Sequence, residues 1–175
     1  MPAHDLSSLY KEMAQLELMV MNKNNYKEIN LGYMSISENK WTIQKCYCKE
    51  CDPIDGDDIE HEGVNIDPSE IIEPSKEITI LYDYPLNGTF QFKHTTENSD
   101  GFTRKELSEQ IMTKYHQIYK EEEEDEADKI SNLPGMLNRQ TSYGKYGIWG
   151  HHIEDLYLHT LYKDSTGIYS LGIDS

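Results

Sequence analysis

The sequence predicts an α+β domain, a mainly antiparallel sheet built from three hairpins with an N-terminal helix and one central capped helix. Three observations carry this reading. Apolar residues recur with period two in three separate stretches; a helical period appears in two others; and turn residues punctuate the stretches of alternation. The chain has 175 residues, the size of a single domain spanning 1–175 with a sizeable core.

Residues 5–21 read as the first helix. Leu6, Leu9, Met13, Leu16 and Val20 recur at alternating spacings of three and four and form a narrow apolar seam, suited to packing on the domain or to a homodimer through residues 5–21. From Ile29 the period changes to two. Ile29, Leu31 and Tyr33 alternate with small or polar residues, Ser37-Glu38-Asn39-Lys40 supplies a turn, and Trp41, Ile43 and Tyr47 resume the alternation, describing a first hairpin. Residues 49–75 lack any period and are rich in Asp, Glu, Pro and Gly; they read as a mobile acidic loop.

The strand Glu77 to Tyr82, the turn Asn87-Gly88 and the strand Thr89 to His94 form the second hairpin. Thr103-Arg104-Lys105-Glu106 is a capping box, with Phe102 placed to staple against Leu107. The helix it opens carries Leu107, Ile111, Tyr115, Ile118 and Tyr119 on one face. Carboxylates at a helix C-terminus oppose its dipole and repel one another, so the run Glu121 to Glu126 is expected to fray from near Lys120. It opens an acidic tail and loop over about 121–142. Asp155 to Lys163, the turn Asp164-Ser165-Thr166-Gly167 and Ile168 to Asp174 make the third hairpin.

The charge is as informative as the periods. The net charge is -16, and the whole excess sits in two stretches, nine acids in residues 52–75 and seven in residues 121–128, neither holding a Lys or Arg. The rest of the chain is formally balanced. Nothing basic is concentrated enough for direct nucleic-acid binding or for adsorption to an anionic membrane, and a protein partner with a basic surface is the natural counterpart. No window is apolar enough to span a bilayer, and the run Leu16 to Met21 is no signal peptide. The expected setting is therefore intracellular rather than secreted. Ile occurs 17 times against 2 Val and Lys 14 times against 2 Arg, a bias that fits an AT-rich genome.

Candidate chemistry is sparse. Cys46, Cys48 and Cys51 with His61 offer the ligand types of zinc, but a single cluster ending in a loop also reads as free thiols, and no cofactor or metal is expected. Two His-x-Thr/Leu pairs, around His94 and His159, suggest an alternative as a small hydrolase or phosphodiesterase in which two imidazoles exchange protons. The densest set of recognition-type side chains is the glycine-rich aromatic stretch and its flank: Tyr143, Lys145, Tyr146, Trp149, His151, His152 and Asp155. Aromatic anchors beside polar groups are what protein interfaces use as hot spots. The expected function is thus a non-enzymatic interaction module that meets a basic partner through its acidic segments and this loop.

The stretches Gly101-Phe102-Thr103-Arg104-Lys105-Glu106-Leu107, Tyr119-Lys120-Glu121-Glu122, Gly144-Lys145-Tyr146-Gly147-Ile148-Trp149-Gly150-His151 and Leu171-Gly172-Ile173-Asp174-Ser175 resemble an uncharacterised family of small proteins from large nucleocytoplasmic DNA viruses. The resemblance covers about residues 78–175. It implies a viral context, in the host cytoplasm or as a structural component of the virion, and carries over no catalytic residue.

Overall fold

The computed structural model describes residues 26–41, 66–125, 131–132 and 139–175. The predicted N-terminal helix, the dimer seam, the second strand of the first hairpin and the Cys46, Cys48, Cys51 and His61 set lie outside the described residues. Within them the fold is mixed α+β, mostly sheet with one main helix. In chain order the elements are β1 (Lys27–Ser35), a 3-10 turn (Ile36–Glu38), β2 (Ile71–Glu73), β3 (Glu77–Tyr82), β4 (Phe90–Thr95), β5 (Phe102–Thr103), α1 (Arg104–Asp125), β6 (Ser131–Asn132), β7 (Gln140–Thr141), a second 3-10 turn (Ile153–Asp155), β8 (Tyr157–Lys163) and β9 (Tyr169–Asp174).

Five strands form one sheet in the order β1-β8-β9-β3-β4. All neighbours are antiparallel except β3 and β9, which run parallel. One face packs on α1, whose Leu107, Ile111, Met112, Tyr115 and Ile118 are fully buried against Ile78, Ile80, Tyr82, Leu158, Leu161 and Tyr169 of the strands.

Along one edge, β1, the first strand of the expected first hairpin, makes a long-range pairing. β1 pairs with β8, Ile29 facing Leu161 and Met34 facing Leu158. The turn predicted at Ser37 to Lys40 overlaps the 3-10 turn, which is ended by Asn39 in the left-handed region at φ 50. It carries the chain off the sheet and over α1, where the Trp41 amide donates to Glu109 at 3.1 Å. The alternation also slips: the register breaks between Asn30 and Met34, where the Gly32 amide donates to Asn30 Oδ1 at 2.8 Å. A bulge of this kind turns a side chain to the other face. Met34 takes the core position expected of Tyr33, and Tyr33 stacks on Tyr157 with ring centroids 5.0 Å apart.

The α1 cap forms as its sequence dictates, the Glu106 amide donating to Thr103 Oγ1 at 3.1 Å. Glu106 does not reach back as a capping box predicts; its Oε1 accepts from Gln110 instead. Residues 66–75 depart from the expected mobile loop. The Arg104 and Lys105 amides donate to the carbonyls of Glu70 and Pro68, each at 2.9 Å, satisfying donors that a helix N-terminus leaves without intrahelical partners. Buried Arg104 pairs with Glu70, and β2 pairs with β5. Glu73, 1% exposed, accepts from Lys163 Nζ at 3.0 Å and from the Tyr169 and Ser75 hydroxyls.

Candidate interaction surface

Instead of fraying into a solvated acidic tail near Lys120, α1 continues to Asp125, and Glu121 and Glu122 fasten the glycine-rich loop to it. The Glu122 carboxylate, 2% exposed, accepts from the amides of Gly144 (2.8 Å), Tyr146 (2.7 Å) and Gly147 (3.0 Å) and from the Ser142 hydroxyl. Burial opposes its charge, but these four donors outweigh burial and hold the carboxyl below its ordinary range. Glu121 accepts from Lys145 Nζ (2.8 Å), the Tyr146 hydroxyl (2.7 Å) and Gln117, which pull it down to about 2.

The loop is tied on its other side as well. The Trp149 amide donates to Pro85 O at 2.9 Å, the Asn87 amide to Tyr146 O and Gly147 O at 2.9 Å each, and the Gly150 amide to Gln140 O at 2.8 Å. Gly147 has φ +64, and a Cβ there would meet Asn87 Cβ at 2.8 Å. Glycine at this position lets the two loops touch.

Seven residues of this segment are expected at a partner surface, and the frame sorts them. Tyr143 and Trp149 project, 59% and 45% exposed. Tyr146 is buried, its ring edge-on to Phe90 at 4.9 Å, and Lys145 lies over that ring while paired with Glu121. Asp155 is paired with Arg139 and accepts the His152 amide at 2.9 Å, closing the second 3-10 turn. His151 Nε2 shares a hydrogen bond of 2.9 Å with the Tyr84 hydroxyl, which also meets Ser175 Oγ at 2.6 Å; burial and the Arg139 charge push the imidazole pKa down. Lys145 and Asp155 are each paired within the chain, and the exposed aromatic surface of this segment belongs to Tyr143 and Trp149.

Beside them is a cleft of about 340 Å³ lined by Asp83 to Asn87, Thr141 to Tyr143 and Trp149. Tyr84 and Pro85, which line this cleft, carry no signal for it in the sequence, because Asn87-Gly88 reads as a tight turn. The β3–β4 connection instead runs from Asp83 to Thr89, with a cis peptide at Tyr84-Pro85. The sequence does carry a signal for Glu122: Leu107, Ile111, Tyr115, Ile118 and Glu122 keep one helical spacing, so Glu122 falls on the buried stripe.

The two histidines of the hydrolase reading are not brought together. His94, opposite Ile78 on β4, faces α1, with Nδ1 3.2 Å from Gln110 Oε1 and Nε2 3.1 Å from the Tyr82 hydroxyl. His159 packs on Gly172, where a Cβ would lie 2.5 Å from its Cε1. Gly172 alternates with Leu171 and Ile173, which pack toward the core, so His159 is on the sheet face turned away from α1. Their strands are separated by β9 and β3, roughly 14 Å. Among the described residues no cluster of His, Cys, Asp or Glu could hold a metal ion, and no helix is long and apolar enough to cross a membrane.

No known family, curated protein or solved structure matches the chain.

Proposed function

We propose that the protein is a non-enzymatic interaction module that receives a cationic side chain of a basic protein partner in the cleft walled by Tyr84, Tyr143 and Trp149. The observation that carries this reading is exposure combined with fixed backbone. Tyr143 and Trp149 are open to solvent, while the main chain around them is tied to Glu122, Pro85 and Gln140. Aromatic anchors on a pre-organised frame lose little entropy on binding. Aromatic faces attract cations, and exposed Asp83 at the cleft supplies the opposite charge. Glu123, Glu124 and Asp125, exposed just beyond the carboxylates that anchor the loop, add a field that speeds encounter with a basic surface.

The viral and intracellular setting of this reading rests on the resemblance of residues 78–175 and on composition. The test is crosslinking capture from the native cell, comparing the unmodified chain with Trp149→Ala and Tyr143→Ala. Loss of the same crosslinked partner in both variants, with thermal melting unchanged, supports the cleft. An unchanged set of partners in both variants overturns it.

A further inference from the structure

Charge and hydrogen-bonding capacity in the cleft walled by Tyr84, Tyr143 and Trp149 favour one kind of cation over others. Of the residues lining it, Asp83 alone carries a charge. Asp83 is exposed, and it joins none of the ion pairs among the described residues. The His151 ring stands near two of the walls, 5.3 Å from the Tyr84 ring and 6.0 Å from the Trp149 ring. Burial and the Arg139 charge hold its pKa below the ordinary value, so at neutral pH no imidazolium competes for those rings.

Most acceptors around the cleft are already engaged. The Asp83 carbonyl takes the Leu86 amide and the Pro85 carbonyl the Trp149 amide, each at 2.9 Å. The Tyr84 carbonyl takes the Tyr115 hydroxyl at 2.8 Å, and the Tyr84 hydroxyl is held between His151 Nε2 and Ser175 Oγ. Ser142 Oγ donates to Glu122 and accepts the Ile148 amide at 2.7 Å. The cleft therefore meets a cation chiefly with aromatic walls and one carboxylate.

An unmodified lysine brings three N–H donors and an arginine five, and each donor that leaves water without finding an acceptor opposes binding. Methylation of lysine removes donors, keeps the charge and adds apolar surface for the rings to cover. Dimethyllysine retains one N–H, which a single carboxylate satisfies; trimethyllysine retains none. Resting on the cation-binding role proposed above, we infer that the cleft recognises a di- or trimethylated lysine in a basic segment of the protein partner. A lipid choline headgroup offers the same trimethylammonium group but joins it to a phosphate, which the exposed Glu123, Glu124 and Asp125 repel. Basic residues flanking a methylated lysine are attracted by the same field.

The probe is one end-capped basic peptide whose central lysine is unmodified, dimethylated or trimethylated, titrated into the full chain while the Trp149 indole N–H signal is followed by NMR. The methylated forms are expected to shift that signal and to bind at least about tenfold more tightly than the unmodified form. A peptide carrying the uncharged tert-butyl analogue of trimethyllysine is expected to bind no better than the unmodified one. In Tyr143→Ala, with thermal melting unchanged, the preference for methylation is expected to disappear. Equal binding of the unmodified and methylated peptides, with Trp149 shifted by both, overturns the inference and leaves the cation cleft standing. An unshifted Trp149 signal with every peptide overturns it together with the cation-binding reading. Equal binding of the uncharged analogue overturns it because apolar burial alone then selects the ligand. Phosphatidylcholine vesicles that shift Trp149 where the methylated peptides do not overturn it in favour of a lipid headgroup.

Discussion

Glu122 stands among like neighbours, yet only its helical phase carries it under the loop, where four donors converge on one buried carboxylate. Replacing it by Gln keeps one acceptor oxygen and turns an amide group against donors, leaving buried N–H groups unpaired. The variant Glu122→Gln is expected to lose about 3 kcal/mol of stability in urea unfolding, with faster hydrogen exchange at the Gly144, Tyr146 and Gly147 amides. Glu123→Gln, one residue on and exposed, is expected to stay within about 0.5 kcal/mol of the parent chain. Equal effects of the two substitutions would remove the anchoring role. Composition hid this distinction, since charge counting treats every acid alike; the stripe running from Leu107 to Ile118 held the information that separates them. The cleft was half legible for a related reason. Tyr143 and Trp149 stand out in any reading of the loop, whereas Tyr84 and Pro85 join them through tertiary contact between segments some sixty residues apart.

At the scale of elements, local signals are the legible ones. The α1 start depends on residues within one turn, and Thr103→Ala is expected to cost about 1 kcal/mol, with Thr103→Ser recovering most of it; urea midpoints decide this. Strand partners are another matter, because β1 meets β8 across more than a hundred residues and nothing local announces that pairing. Bulges compound the difficulty by breaking the period that reveals a strand. β8 shows this: its register slips between Leu158 and Thr160, so Leu158 and Leu161 both face the core although three residues apart, and His159 is left on the outer face against Gly172. The resulting prediction concerns the strand pair. Gly172→Ala puts a methyl group into the imidazole and is expected to destabilise by about 2 kcal/mol. In His159→Ala the space is open, and adding Gly172→Ala to that background is expected to cost far less. Additive effects in the double-mutant cycle would contradict the contact.

For the whole molecule, the net charge conceals two populations of acid that respond to pH with opposite signs. Exposed carboxylates such as Glu123, Glu124 and Asp125 repel one another, so protonating them relieves repulsion in the folded state, an effect that salt screens. The anchoring carboxylates behave otherwise. Burial opposes the charge on Glu73, but bonds from Ser75, Tyr169 and Lys163 hold it down at about 2; Glu121 lies at about 2 and Glu122 is lowered as well. A carboxyl whose folded pKa is below its unfolded value of 4.5 stabilises the fold above that value and loses the contribution as pH falls toward the folded pKa. Burial depresses the pKa of His94 and His159 below the unfolded value of 6.5. The unfolded chain therefore takes up protons first, and stability again falls with pH. The unfolding free energy at high salt is thus expected to decline gently below about pH 6.5 and steeply between about pH 4.5 and 2. Glu73→Gln should flatten the steep limb while leaving the gentle one intact. A profile at high salt that rises on acidification would mean that repulsion among the surface acids governs this fold, and that the buried carboxylates contribute little to it.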